Sequence, residues 1–169
     1  MSKIKIGISL RIVKEQNYNE TRDALSHDMI IFLEKIGLCP ILIPKKLKNL
    51  EEYLDEIGIN GIILSGGGDI GDNNDRDKTE IKIINYSIVN NIPLLGICRG
   101  MQMINKFFGG NVIKINNKKH VKTQHKITIN NEISKNKFDN NEFVVNSFHN
   151  NIIMNSKLGN KLLATGIVK

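Results

Sequence analysis

The chain has 169 residues, 40% of them hydrophobic and 24% charged, the size and composition of one soluble globular α/β domain with a single core. Its longest apolar runs, 59–64 and 92–98, are too short to span a bilayer, and the amino terminus lacks the apolar stretch and cleavage site of a secretory signal, so cytoplasmic residence is expected. The net charge is +7, but the lysines are spread out and interleaved with asparagine, a pattern that argues against a nucleic-acid partner and is compatible with a small anionic substrate.

In chain order, the alternating, Ile-rich residues 3–10 (KIKIGISL) predict a first strand. Asn19 or Thr21 is placed to cap a helix starting near Arg22, with Leu25, Met29, Phe32, Leu33 and Ile36 on its inner face and Gly37 as its stop. Residues 39–43 (CPILI) predict a second strand, 49–57 a short helix capped by Asn49, and 60–65 a third strand running into Gly66-Gly67-Gly68-Asp69. A helix over 78–91 carries Ile81, Ile84 and Ile88 on one face. Pro93 then opens a buried strand that runs into Cys98, and a helix over 99–108 turns Met101, Ile104, Phe107 and Phe108 inward before Gly109-Gly110. Weaker strands follow at 111–115, 125–130 and near 142–146.

The strand–helix alternation up to residue 110 predicts an open, mostly parallel sheet with helices on both faces, and the later strands predict antiparallel edge additions. No internal repeat or linker divides the chain, so a single domain over 1–169 is expected.

The chemistry concentrates in Gly96-Ile97-Cys98-Arg99-Gly100-Met101-Gln102, at a strand-to-helix junction. Glycines two residues before and after the cysteine are the pattern of a nucleophile elbow, in which the nucleophile takes a strained turn. At a helix start the positive end of the dipole favours a thiolate, and the Arg99 N–H points towards a developing oxyanion. The bland alternative is a structural cysteine in a tight turn.

The Leu64-Ser65-Gly66-Gly67-Gly68-Asp69 turn should meet the elbow beyond the carboxyl ends of the strands, where open parallel sheets place their sites, so that Gly67 N–H could join Arg99 N–H. As a phosphate loop it lacks both the Lys-Ser/Thr of a P-loop and the GxGxxG spacing. Cys39, in an apolar run, reads as a core residue, and His27 as helix surface. Tyr18, Asn19, Glu20, Arg22 and Asp23 read either as helix-capping residues or as part of a leaving-group pocket; Arg76 and Asp77 read either as a helix-start pair or as a rim of that pocket. With two cysteines and no clustered ligand spacing, neither a disulfide framework nor a metal is expected, and no cofactor is called for.

Ser65-Gly66-Gly67, then Leu95-Gly96-Ile97-Cys98-Arg99-Gly100-Met101-Gln102, then Asn146-Ser147-Phe148-His149 resemble the class I glutamine amidotransferase superfamily. Arg76-Asp77 with Glu80, the CRGMQ of the elbow, Gly109-Gly110 and NSFH are closer to its γ-glutamyl hydrolase branch. The resemblance implies that Cys98 attacks a γ-glutamyl carbonyl to form a thioester that water hydrolyses, releasing glutamate. It also implies that Gly67 and Arg99 supply oxyanion N–H groups, that Gln102, Ser147 and Phe148 hold the glutamyl end, and that His149 contacts substrate. Within the branch, γ-glutamyl-γ-aminobutyrate of a polyamine pathway and γ-glutamyl-CDP-amidate of capsule phosphoramidate synthesis both stand as substrates, the basic balance leaning slightly toward the second, with its anionic leaving group. Oligomeric state is not legible.

The family base is the histidine of a His-Pro-Glu segment near the carboxyl terminus, and residues 1–169 contain none. The expectation is that the natural protein continues past Lys169 into it. His149 is the strongest base candidate within the chain, because a cysteine nucleophile needs one nearby. His120 and His125, in a lysine-rich stretch, read as solvated or edge-strand residues, with a site-rim role open to His125. Two rival readings stand beside the hydrolase: a glutaminase subunit donating ammonia to a synthetase, and a catalytically inactive binding domain.

Overall fold

Described in the computed structural model are residues 3–115, 121–129 and 140–168, in two units, Met1–Ile104 and Asn105–Lys169. His120 and Asn130 lie outside the described residues. The first unit runs Lys5–Ser9 (β1), Arg11–Glu15 (β2), Glu20–Ala24 (β3), His27–Lys35 (α1), Cys39–Ile43 (β4), Leu50–Ile57 (α2), Gly61–Leu64 (β5), Asn74–Val89 (α3), Leu94–Gly96 (β6) and Arg99–Phe107 (α4), whose last turn enters the second unit.

The predicted strands form one parallel sheet in the order β4-β1-β5-β6. Its inner strands read as unbroken apolar runs, as strands covered on both faces do: Ile8, Ile62, Ile63 and Leu64 are all buried. Leu33 of α1 packs on Ile8 and Ile63, with Leu25, Met29 and Ile97 around them. Helix α2 starts where expected, with the Asn49 side chain accepting the Glu52 N–H at 3.2 Å, and ends on Gly58 in a left-handed turn. Cys39 is half-buried on the outermost strand, β4.

Several expectations are corrected. Residues 11–24 form an antiparallel hairpin, β2–β3, not the approach to a helix starting near Arg22. Neither Asn19 nor Thr21 caps a helix: Asn19 takes φ +48° in the hairpin turn, Thr21 lies in β3, and α1 begins after Ser26. The segment has no apolar period of 3.6 and pairs through its backbone from Arg11 opposite Ala24 to Glu15 opposite Glu20, while Arg22 bonds Glu20 of its own strand at 2.6 Å and lies 3.9 Å from Glu15 across the hairpin.

On α1, Leu33 is the fully buried residue, while Phe32 and Ile36 are more than half exposed. On α3 the buried face is Arg76, Glu80, Ile83, Ile84 and Ser87, rotated from the predicted Ile81–Ile84–Ile88 stripe. Likewise α4 turns Gln102, Met103 and Asn105 inward and leaves Met101 half exposed. Both shifts have one cause: polar residues that find partners inside outrank apolar residues for the inner face.

In the second unit Val121–Ile129 (β8) pairs antiparallel with Glu142–Phe148 (β9) and Gly166–Val168 (β11), while Ile113–Lys114 (β7) pairs with Asn151–Ile152 (β10). Asn105 is its polar hub: the buried amide donates to the carbonyls of Asn111 (3.1 Å) and Lys157 (3.2 Å) and accepts the Gly159 N–H at 2.8 Å. Among the described residues no helix is long and apolar enough to cross a membrane.

Candidate active site

Strands β5 and β6 are neighbours, with Leu64 opposite Gly96, so the turns that leave their carboxyl ends emerge side by side. The Ile97 N–H donates to the Leu64 carbonyl at 3.0 Å, and the Cys98 carbonyl accepts the Gln102 N–H at 3.2 Å, which places Cys98 at the cap position of α4. Cys98 takes φ +52°, a left-handed conformation that costs a non-glycine residue about 1–2 kcal/mol, and its side chain is exposed. A strained, accessible cysteine at a helix start is the elbow read from the motif.

The flanking glycines are required by proximity. A Cβ on Gly96 would stand 2.5 Å from the Met101 nitrogen, and one on Gly100 would stand 2.1 Å from the Leu64 carbonyl oxygen. Both obstacles are backbone. Gly100→Ala is expected to destabilise by about 3 kcal/mol or more, the upper range of overpacking, read from the denaturant midpoint.

The glycine-rich turn lies against the elbow: a Cβ on Gly66 would stand 3.4 Å from the Cys98 Cβ. Gly67 (φ +90°) and Gly68 (φ +73°) both take conformations that favour glycine. One buried guanidinium, that of Arg76, gathers the turn's carbonyls, donating to Ser65 O at 2.8 Å, to Gly66 O at 3.2 Å and to Gly67 O.

Beneath the turn lies a buried ionic network. Glu80, 1% exposed, accepts from Arg76 Nε at 2.9 Å and from the Arg99 guanidinium, which also donates to Asp77. Ser9 links the network to the turn, donating to Glu80 at 2.9 Å and accepting the Ser65 N–H at 3.0 Å. Burial lowers the Arg76 pKa, the Arg99 charge pushes the same way, and Glu80 opposes both. Two buried arginines are thus matched by two carboxylates. Arg99 therefore has two separable parts: a main-chain N–H at the helix start, and a side chain that ties α4 to α3.

A cavity of about 260 Å³ opens beside the turn, walled by Gly67, Gly68, Arg76 and Arg99 and, from the hairpin, by Arg11 and Lys14. The polar cluster Tyr18 to Asp23 does not line it. Asp23 instead pairs with buried Lys45, at 2.5 Å from its ammonium and 3.0 Å from its N–H. Arg76 and Asp77, read as a helix-start pair or a pocket rim, belong to the buried network, with Arg76 also reaching the cavity wall.

Of the residues singled out from sequence, Cys98, Arg99, Gln102 and Gly67 come together in the first unit around one pair of turns. Gln102 is buried one helical turn beyond the cysteine. Ser147, Phe148 and His149 belong to the second unit, at the end of β9: Ser147 is buried, Phe148 is 64% exposed and His149 is half-buried, its ring centroid 6.2 Å from that of His125 in β8. His27 is exposed at the first position of α1. Sequence reasoning missed Ser9, Arg11 and the structural part of Glu80. The available signal was Arg76 and Glu80 four apart on one helix face, and a serine ending an apolar strand.

Comparison with known proteins agrees with this geometry. Residues 5–167 match the profile of the family described as Peptidase C26. Over 114 residues the chain is 32% identical to the γ-glutamyl-CDP-amidate hydrolase of Campylobacter jejuni, covering 63% of this chain and 56% of that protein. Over 104 residues it is 36% identical to a glutamine-hydrolyzing GMP synthase subunit of Methanococcus vannielii, covering 62% of this chain and 51% of that protein. The first curated relatives are matched over only 32–36% of their own length. Among solved structures, a glutamine amidotransferase of Thermotoga maritima shares the fold, with a TM-score of 0.63 at 19% identity, over 91% of this chain and 64% of that one.

Proposed function

This chain belongs to the Peptidase C26 family, and from that premise we propose that it carries the nucleophile of a γ-glutamyl amide hydrolase, with γ-glutamyl-CDP-amidate as its substrate. The observation that carries the reading is Cys98 itself, exposed at φ +52° at the start of α4, with the glycine-rich turn against it. In the proposed reaction the Cys98 thiolate attacks the γ-carbonyl carbon. The N–H groups of Arg99 and Gly67 hold the oxyanion as the C–N bond breaks. The leaving nitrogen, which is that of a phosphoramidate in this substrate, takes up the proton that the Cys98 thiol gave to the base, and water hydrolyses the thioester to glutamate and free Cys98.

Gln102, Ser147 and Phe148 hold the glutamyl end in this proposal, and His149 contacts substrate. The base is assigned to the family's His-Pro-Glu segment, which has no counterpart in residues 1–169. The likeness to the Campylobacter hydrolase supports the substrate. The similar likeness to the Methanococcus GMP synthase protein supports a second reading, a glutaminase passing ammonia to a partner.

The deciding experiment offers the full-length natural protein γ-glutamyl-CDP-amidate, γ-glutamyl-γ-aminobutyrate and glutamine in parallel and measures glutamate release. Turnover of a γ-glutamyl amide well above glutamine supports the hydrolase. Glutamine turnover that rises on adding a synthetase partner supports the second reading and overturns the first.

A further inference from the structure

The β2–β3 hairpin leaves the carboxyl end of β1 and walls the cavity beside Gly67 through Arg11, Ile12 and Lys14. The wall mixes these cations with the carboxylates of Asp69 and Asp72, so it has no excess of one sign by which to select a ligand. What fixes the hairpin lies on its other leg. Asp23, in β3, stands opposite Ile12 in the ladder. One oxygen of its carboxylate accepts the Lys45 N–H at 3.0 Å, and the other accepts the Lys45 ammonium at 2.5 Å. Among the described residues, these are the hydrogen bonds that tie residues 11–24 to the rest of the first unit. Lys45 lies just past the carboxyl end of β4, and its side chain is only 3% exposed. A buried ammonium that shares one carboxylate with its own main-chain N–H is a fixed point, unlike a solvated surface pair. Strands β4 and β5 flank β1 in the sheet. The hairpin is therefore held from the β4 side by one leg, while the other faces the turn after β5, where a Cβ on Gly67 would stand 3.5 Å from the Arg11 Cδ.

We propose that Asp23 is a positioning residue for the leaving-group pocket: paired with Lys45, it holds the hairpin where Arg11 and Ile12 wall the cavity, and so sets how well the leaving group of a γ-glutamyl substrate fits there. The proposal rests on the hydrolase reading above, which assigns the glutamyl end to Gln102, Ser147 and Phe148 and leaves the cavity of the first unit to the other end. Asp23 itself does not line the cavity. Its effect passes across the ladder to Ile12 and along β2 to Arg11. A displaced wall weakens the fit of a large leaving group and leaves a small one untouched, so the loss falls on KM and depends on the substrate.

The test replaces the pair in the full-length protein as Asp23→Ala/Lys45→Met, which removes the tie without leaving a buried charge unpaired, so that the fold survives. Asp23→Glu is the conservative variant. Substrates are γ-glutamyl-CDP-amidate, with a large leaving group, and γ-glutamyl methylamide, with a small one. For the double variant the expected result is a rise of about 10-fold in KM for the first, with its kcat and both constants for the second within about twofold of the parent. Amide hydrogen exchange should quicken over 11–24 while β5 and α3 keep their protection. Asp23→Glu keeps the carboxylate and should recover most of the KM. Equal losses on both substrates, or a kcat that falls with the melting temperature, would mean a purely structural pair and overturn the proposal, as would an unchanged KM or unchanged exchange. If the parent cleaves no γ-glutamyl amide, the hydrolase reading fails separately. Exchange over 11–24 then decides the role of Asp23: a rise confined to the hairpin supports it, and unchanged protection overturns it.

Discussion

Cys98→Ala is expected to abolish glutamate release by the full-length protein, at least about 10³-fold in kcat, with little change in stability. The fold should survive because alanine keeps the Cβ that already sits at φ +52° and removes only an exposed sulfur. A second variant separates the roles of conformation and chemistry. Cys98→Gly is equally inactive, yet it should be more stable than Cys98→Ala by about 1 kcal/mol, because glycine adopts the left-handed conformation without the Cβ penalty. Urea unfolding of the two variants measures the difference. Near-normal turnover by Cys98→Ala would remove the nucleophile assignment, and equal stability of the two variants would remove the strain.

Glu80→Leu is expected to be the most destabilising single change outside the apolar core, by about 3–5 kcal/mol, the range for removing one partner of a buried ion pair. Glu80 holds Arg76, Arg99 and Ser9 together, so its loss leaves two arginines, 4% and 2% exposed, facing one remaining carboxylate, Asp77. The same change should loosen the carbonyls that Arg76 gathers and with them the N–H groups proposed for the oxyanion. Glu80→Gln keeps the shape and part of the hydrogen bonding, so it should restore some stability while kcat stays low and KM moves little. That split is the mark of a positioning residue, and proportionate recovery of stability and kcat would instead mean a purely structural part. Thermal unfolding and steady-state kinetics on the two variants give both readings.

Much of the frame was legible because it depends on local rules. The apolar runs 39–43 and 60–65 became strands with nearly the predicted bounds, Asn49 capped its helix, and Gly37 ended α1 in a left-handed turn. The elbow was legible for the same reason: glycine spacing around a cysteine at a strand–helix junction is a statement about close approach, and the backbone atoms against Gly96 and Gly100 bear it out. The hairpin over 11–24 was not legible, since its strands are mostly polar and exposed and so carry no clear apolar alternation, and helix-capping residue types occur in turns as well.

Amino-acid order alone was enough for the parallel sheet, the strand–helix turn that carries Cys98 and the family resemblance, because strand propensity, turn chemistry and motif spacing are properties of neighbours along the chain. Tertiary structure decided which face of α3 turns inward, what Arg76 and Arg99 do, and which hairpin residues wall the cavity. Those outcomes rest on partners 11 to 71 residues apart, such as Arg76 with Ser65, Arg99 with Glu80 and Ser9 with Glu80. A charged residue at an inner position reads as an error in an apolar pattern until its partner is seen, because only the pairing offsets the desolvation of burying it.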